Sequence, residues 1–371
     1  MLLSYKYRLC PTRAQQTALA GMLADFCDLY NAGLQQRIEA YRRCGVSVSY
    51  KMQSAELKAT RLAAPELARW SFSAEQQVLR RLDKTFKAFF RRGHGFPRFR
   101  AKARYHAAEM RVGDGLTIRK SNRLGFVGIP GEINVRWHRD LPSKPASAIL
   151  TRQNGKWYVV FHVEVAPVER ANDMTIGIDV GLTSLIALSN GETIARPNWT
   201  KRAAKGLRRR QRALARCKRG SKVRTKRKLA LARYHTTVAN KRRDHLHKLS
   251  RTLVDKFGRI AVENINIKGL ASGMLAKHVN DASWAQLVSM LDYKAANAGS
   301  PVIKVDPRGT SQTCPECGQI TAKTLAEREH RCDCGCVLDR DVAAAMVVHF
   351  RAFGFWPGTG LGSLSQQSAA A

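Results

Sequence analysis

The sequence predicts a multidomain α/β protein, and three observations predict it. Two short apolar stretches, MTIGIDV (174–180) and RIAVEN (259–264), read as buried strands that each deliver one carboxylate, Asp179 and Glu263. LDRDVAAAM (338–346) opens a helix with a third acid, Asp341. Between residues 116 and 165, by contrast, apolar and polar residues alternate with a period of two, the mark of half-buried strands. Five of the nine cysteines crowd between Cys314 and Cys336, which adds a small metal-stabilised module.

The charge limits the partners. With 64 Lys and Arg against 28 Asp and Glu, the formal net charge is +36, and a folded chain with that excess repels itself unless a polyanion neutralises it. Nucleic acid is the expected partner. No apolar run approaches the roughly 18 residues needed to span a bilayer, and MLLSYKYRL is too short and interrupted for a signal peptide. A cytoplasmic, nucleoid-associated protein without membrane contact is therefore expected.

In chain order, Leu2 to Leu9 reads as a strand, and Thr12 with Gln15 three residues on forms a capping box for a helix. That helix carries a stripe from Leu19 through Leu23, Phe26, Tyr30, Leu34 and Ile38 to Tyr41, and Gly45 ends it. Helical patterns over 51–63 and 73–90 follow, giving a helical lobe. The segment FFRRGHGFPRFRAKAR (89–104) mixes rings with Arg and Lys, so it reads both as a basic linker and as a stacking surface for single-stranded nucleic acid.

The strands LTIR, RLGFVGI, INVRWH, SAILTRQ and KWYVVFHVEV, with a hairpin turn at Asn154-Gly155, suggest a small barrel that the first strand joins and into which the helical lobe is inserted. Residues 165–173 are polar and mark a domain boundary. After the Asp179 strand, 185–195 folds back as two antiparallel strands around Asn190-Gly191. Residues 201–243 then hold 19 Lys and Arg and no acid, which suits a helical hairpin tracking a phosphate backbone. The Glu263 strand, an amphipathic helix over 281–298 and a strand at PVIKVDP (301–307) complete a meander followed by strands alternating with helices. That is the ribonuclease-H-like plan, on which Asp179, Glu263 and Asp341 converge. Three acids on rigid element ends suit two divalent cations and phosphodiester cleavage.

Cys314-Pro-Glu-Cys317 and Cys332-Asp-Cys334 have the spacing of a zinc knuckle or ribbon. Four thiolates close a tetrahedral Zn²⁺, so one structural ion is expected. The second pair is tight, with one intervening residue, which leaves His330 or Cys336 open as a replacement ligand.

Taken together, YKYRLCPT, GFPRFR, GIDVGL, VENINIKGL, RRDHLHKLS, SQTCPECG and HRCDCGCVLDRD make nearly the whole chain resemble TnpB, the transposon-encoded RNA-guided DNA endonuclease family related to type V CRISPR effectors. The resemblance implies a wedge-like β-barrel at 1–10 and 106–172, a helical recognition lobe at 11–105, and a RuvC nuclease domain at 173–309 and 337–353. It also implies a zinc-bearing target-nucleic-acid-binding insert at 310–336 and a flexible tail at 354–371. Implied partners are one guide RNA from the transposon end per protein and a double-stranded DNA target next to a short motif, with base pairing choosing the target. Asp179 would bridge two Mg²⁺ ions, Glu263 and Asp341 would each complete one shell, Cys314, Cys317, Cys332 and Cys334 would hold Zn²⁺, and Asp339 would act as a cap or supporting group.

One departure stands out: the family has Asn two residues after the last acid, and here Ala343 occupies that position. A guided DNA-binding regulator with impaired cleavage, and a conventional transposase joining DNA ends, are the competing expectations.

Overall fold

The computed structural model describes residues 1–91, 93–166, 168, 172–274, 276–324 and 327–357. The expected tail lies mostly outside them. The chain divides into two compact units, Met1–Val165 and Ala166–Ala371.

The first unit opens with β1 (Leu2–Cys10), then α1 (Arg13–Cys44), α2 (Tyr50–Ala63), a single turn α3 (Pro65–Ala68) and α4 (Phe72–Phe90). The capping box at Thr12 and Gln15 forms as expected, and Gly45 ends α1 with φ 67°, a left-handed conformation that costs glycine little. A short 3-10 turn at Lys102–Arg104 leads into β2 (Ala107–Arg111), β3 (Leu116–Ile118), β4 (Leu124–Phe126), β5 (Glu132–Arg136), β6 (Ser147–Gln153) and β7 (Lys156–Glu164). These strands form one seven-stranded sheet in the order β2-β6-β7-β1-β5-β4-β3, and every paired neighbour is antiparallel.

The period of two along β7 places Trp157, Val159, Phe161 and Val163 in the core, where they join Tyr7 and Leu9 of β1. Leu19, Phe26, Tyr30 and Leu34 of α1 and Leu79 and Leu82 of α4 complete the same core. The inserted helices and the sheet therefore share one apolar interior.

The expected closed barrel is a curled half-barrel. Edge strands β2 and β3 are joined only by an isolated bridge between Val112 and Leu116, because three-residue β3 and the turn before it are too short to carry a ladder. The 89–104 segment is partly packed and partly exposed. Phe96 meets Phe86 and Phe89 edge-on, while the Arg100 backbone is held by Asn31, donating and accepting at 2.9 and 2.8 Å. Phe90 and Phe99 stay exposed among basic residues.

The second unit contains β8 (Thr175–Asp179), β9 (Ser184–Leu188), β10 (Thr193–Ala195), the long helices α5 (Trp199–Ala215) and α6 (Lys222–Lys256), and β11 (Arg259–Glu263). After these come α7 (Ile267–Leu270), α8 (Ala276–Ala282), α9 (Trp284–Asn297), β12 (Ile303–Val305), the small hairpin β13 (Glu329–Arg331) and β14 (Val337–Asp339), and α10 (Arg340–Phe353). The sheet order is β10-β9-β8-β11-β12, with the meander β8–β9–β10 antiparallel and β8, β11 and β12 parallel. No helix among the described residues is long and apolar enough to cross a membrane.

The helix expected over 281–298 starts later, at Trp284, and its first two residues end the separate helix α8. Ser283 takes φ 58°, and just before it Asp281 accepts from the Thr200 amide at 3.0 Å and pairs with Arg242 at 3.3 Å. These contacts pin the base of the α5–α6 hairpin and override the local helical pattern. Within the hairpin, Gly206 lets the Tyr234 ring approach so closely that a Cβ there would lie 2.3 Å from its hydroxyl, and Arg210 stacks on that ring at 3.9 Å.

The sheet of this unit has two unlike faces. Ile176, Ile178, Ile260 and Val262 bury against Leu246, Leu253, Leu287 and Leu291 of α6 and α9. The opposite face presents Gly177 and Ala261, which are register partners, and α10 packs directly on them. A Cβ on Gly177 would lie 2.3 Å from the Ala345 carbonyl and 2.7 Å from the His349 amide, both backbone atoms that cannot step aside. Gly177→Ala is therefore expected to destabilise the protein by about 1–3 kcal/mol, as overpacking does. Gly95→Ala, with nothing within 4 Å of the added carbon, should leave the urea midpoint unchanged. Equal midpoints for the two variants would show that helix and strand are not held this close.

Candidate metal centres

The two-residue repeat of a strand decides where the acids point. Gly177 faces α10, so Asp179, two residues on, faces the same way. Ala261 faces α10, and so therefore does Glu263. Ile178 pairs with Val262 in parallel register, which places Asp179 and Glu263 side by side at the carboxyl ends of neighbouring strands about 4.8 Å apart.

Asp341 comes to them from the helix. Asp339 caps α10, its Oδ1 accepting from the amides of Asp341 at 2.9 Å and Val342 at 3.1 Å, and this aims the first turn at the strand ends. A Cβ on Gly181 would lie 3.0 Å from Asp341 Oδ2, so the carboxylate rests against the loop that leaves Asp179. The expected supporting role of Asp339 is thus a helix cap. Ala343 is buried under the same turn and offers no polar group there.

All three carboxyls are raised from their ordinary values. Burial pushes Asp179 up most, and the charges of Glu263 and Asp341 push it further, against the Val180 amide and Arg340. Burial raises Glu263, opposed by a hydrogen bond from Thr310 and by Arg351. Burial and Asp339 raise Asp341, opposed by Arg328 and Arg340. Such a pocket disfavours three negative charges until cations enter, and oxygen donors on rigid ends suit hard divalent ions.

The cysteines form the tighter group. Sγ atoms of Cys314, Cys317, Cys332 and Cys334 all lie within 4.8 Å of one another. Cys314 and Cys334 are 3.7 Å apart and Cys317 and Cys332 3.4 Å, near the roughly 3.8 Å edge of a tetrahedron of sulfurs about 2.3 Å from Zn²⁺. Burial pushes the Cys314 thiol up, but the Cys317 and Glu316 amides and the His330 ring outweigh it and leave Cys314 at about 6.

Two contacts that the sequence did not announce tie this segment to the acids. Thr310 Oγ1, buried, donates to Glu263 Oε1. Arg340 donates to the carbonyls of Thr324 at 2.5 Å and Glu327 at 3.1 Å, and to Ser311 Oγ at 3.4 Å. The only sequence hints were the polar TSQ before the first cysteine pair and the Arg between two aspartates.

Comparison with known proteins bears on this arrangement. Residues 158–273 match the OrfB_IS605 family, described as "Probable transposase", residues 284–348 match the Cas12f1-like TNB domain, and residues 1–45 match a helix-turn-helix domain. That last segment is here a strand and one uninterrupted helix. A "Putative RNA-guided DNA endonuclease" of Streptomyces pristinaespiralis is 34% identical over 354 residues, covering 92% of this chain and 87% of the relative. The chain belongs to the TnpB family.

A second TnpB-family relative, "Putative RNA-guided DNA endonuclease InsQ" of Escherichia coli K12, is 28% identical over 277 residues, 69% of this chain and 68% of its own. The cryo-EM structure of a Cas12f1–sgRNA–target DNA complex superposes with TM-score 0.61 at 14% identity, covering 91% of this chain and 83% of that one. The mixed α/β fold, with its half-barrel and its cysteine cluster near the C-terminus, is thus Cas12f-like.

The raised acids give a measurable consequence. An acid whose folded pKa exceeds its unfolded value holds its proton more tightly when folded. It contributes stability below the ordinary value of 3.8 that is lost as pH rises toward the raised one. In metal-free protein, Asp179→Asn is therefore expected to melt higher than the wild type at about pH 8 and to converge with it at about pH 3.5. Differential scanning calorimetry across pH measures this, and a variant melting lower at pH 8 would contradict the crowding of charges.

Proposed function

We propose that the chain is an RNA-guided DNA endonuclease in which Asp179, Glu263 and Asp341 hold two Mg²⁺ ions. The observation that carries this reading is that three carboxyls from two parallel strand ends and one helix start, Asp179 buried and Glu263 and Asp341 half-buried, come close enough for Glu263 and Asp341 to raise Asp179. Two such cations would supply an attacking water of lowered pKa and neutralise the leaving oxygen of a phosphodiester. The chain's own part is to orient the donors. Asp179 would serve both ions, and Glu263 and Asp341 would each complete one shell; Thr310 donates to one oxygen of Glu263 and leaves the other to bind, and Asp339 fixes the turn that carries Asp341.

In this reading, residues 173–309 and 337–353 form a ribonuclease-H-like RuvC domain, and 310–336 is its insert, closed by one structural Zn²⁺ on Cys314, Cys317, Cys332 and Cys334. Residues 1–10 and 106–172 act as the wedge, 11–105 as the recognition lobe and 354–371 as a tail. One guide RNA and a matched duplex DNA are the partners. The α5–α6 hairpin offers exposed Arg208, Arg209, Lys226 and Arg227 in a stretch without acids, which supports phosphate tracking.

The protein is expected to purify with a discrete RNA and, with Mg²⁺, to cut a DNA matched to that guide. Asp179→Ala should abolish cutting while leaving target binding intact, measured by gel cleavage and mobility shift. Undiminished cutting by the variant would refute the site. Ala343 favours a second reading, guided binding without breaks, and stable target occupancy by the wild type without products would select it.

Replacing Arg208, Arg209, Lys226 and Arg227 by Gln is expected to make the logarithmic salt slope of binding shallower by about 0.7–0.9 for each phosphate that is no longer neutralised. An unchanged slope would remove the hairpin from the interface.

A further inference from the structure

A second set of donors lies behind the four thiolates. Cys314, His330 and Cys336 also have their ligand atoms within 4.8 Å of one another, and all three are buried. The outer set is not: Cys317 and Cys334 are exposed. His330 sits in β13 with no exposed surface; its ring lies beside the Cys314 thiol, and its Nε2 makes no well-formed hydrogen bond. Leaving a ring nitrogen dry and poorly paired is costly, and a histidine between two thiols is a donor set for a borderline divalent cation.

We infer that the knuckle has an inner metal position, made by Cys314 Sγ, His330 Nε2 and Cys336 Sγ, to which a zinc-type ion withdraws when the exposed thiolates stop binding it. Cys314 belongs to both sets, so one ion passes from outer to inner position without leaving the protein, and the two positions are filled one at a time. The outer position is preferred while intact because it offers four thiolates. Binding at Nε2 also puts the ring proton on Nδ1, and Lys323, which contacts Nδ1, must then turn away. With Cys317 and Cys334 blocked, two thiolates, an imidazole and one water still make a tetrahedral set.

The shift matters because the cysteine segment carries Thr310's contact to Glu263 and the carbonyls that hold Arg340. An ion kept inside would keep that segment folded when the solvent-facing thiols are oxidised.

The test uses the full chain and Co²⁺ as the probe. Wild type should bind one Co²⁺ at this segment with the absorbance of four thiolates. The double variant Cys317→Ser, Cys334→Ser should still bind one, with its sulfur-to-cobalt band halved and its visible bands moved to shorter wavelength. Adding His330→Gln to the double variant should abolish binding. A folded double variant that takes up no Co²⁺ overturns the inner position, as does one whose spectrum is indifferent to His330→Gln.

Should the double variant fail to fold, zinc-loaded wild type is alkylated and followed by native mass spectrometry. Chains modified at Cys317 and Cys334 that retain one zinc support the inner position, and release of zinc in step with those two modifications overturns it.

Discussion

The contact between α10 and the bare backbone of β8 at Gly177 is the constraint from which the acidic site follows. A side chain at that position would hold the helix off the sheet, and Asp341 with it. Because the strand alternates, the residue that permits the close approach also fixes that Asp179 points into the space under the helix start. Ala261 does the same for Glu263 on the neighbouring strand. Packing of small residues and gathering of charge are thus one feature seen at two points along the same two strands.

That gathering opposes stability. Burial raises the proton affinity of all three carboxyls, and the charges of Glu263 and Asp341 raise Asp179 further, while nothing in the apolar faces around them needs such a cluster. The opposite face of the sheet, lined with Ile and Val against α6 and α9, supplies burial that offsets it. Separating the two tasks, apolar cohesion on one face and charge on the other, lets strands of five residues carry both.

Much of this could be read from the chain. Strand ends bearing acids, the stripe of α1, the Asn154-Gly155 hairpin and the acid-free basic hairpin are periodic or compositional signals that survive folding. What could not be read depended on partners distant in sequence. Ser283 breaks a helix because Asp281 is taken by Thr200 and Arg242, 81 and 39 residues away. The half-barrel stays open because β3 is short. Thr310 and Arg340 looked like ordinary loop and cap residues until their acceptors were known. Cys336 and His330 appeared only as spare ligands, and burial is what distinguishes them from the outer set.

The order of the cysteine segment and the geometry of the acids are therefore not independent. Thr310 is its first residue and engages Glu263; Arg340, beside Asp341, closes on carbonyls at 324 and 327 within it. A loop of that length has too small a core to hold a shape by burial, so a bound ion is the natural source of its order. Whatever orders this segment fixes Thr310, and with it the Glu263 carboxylate, and the acceptors of Arg340 beside Asp341. On the proposed reading, a metal that touches no reacting atom would thereby govern how accurately Glu263 is held.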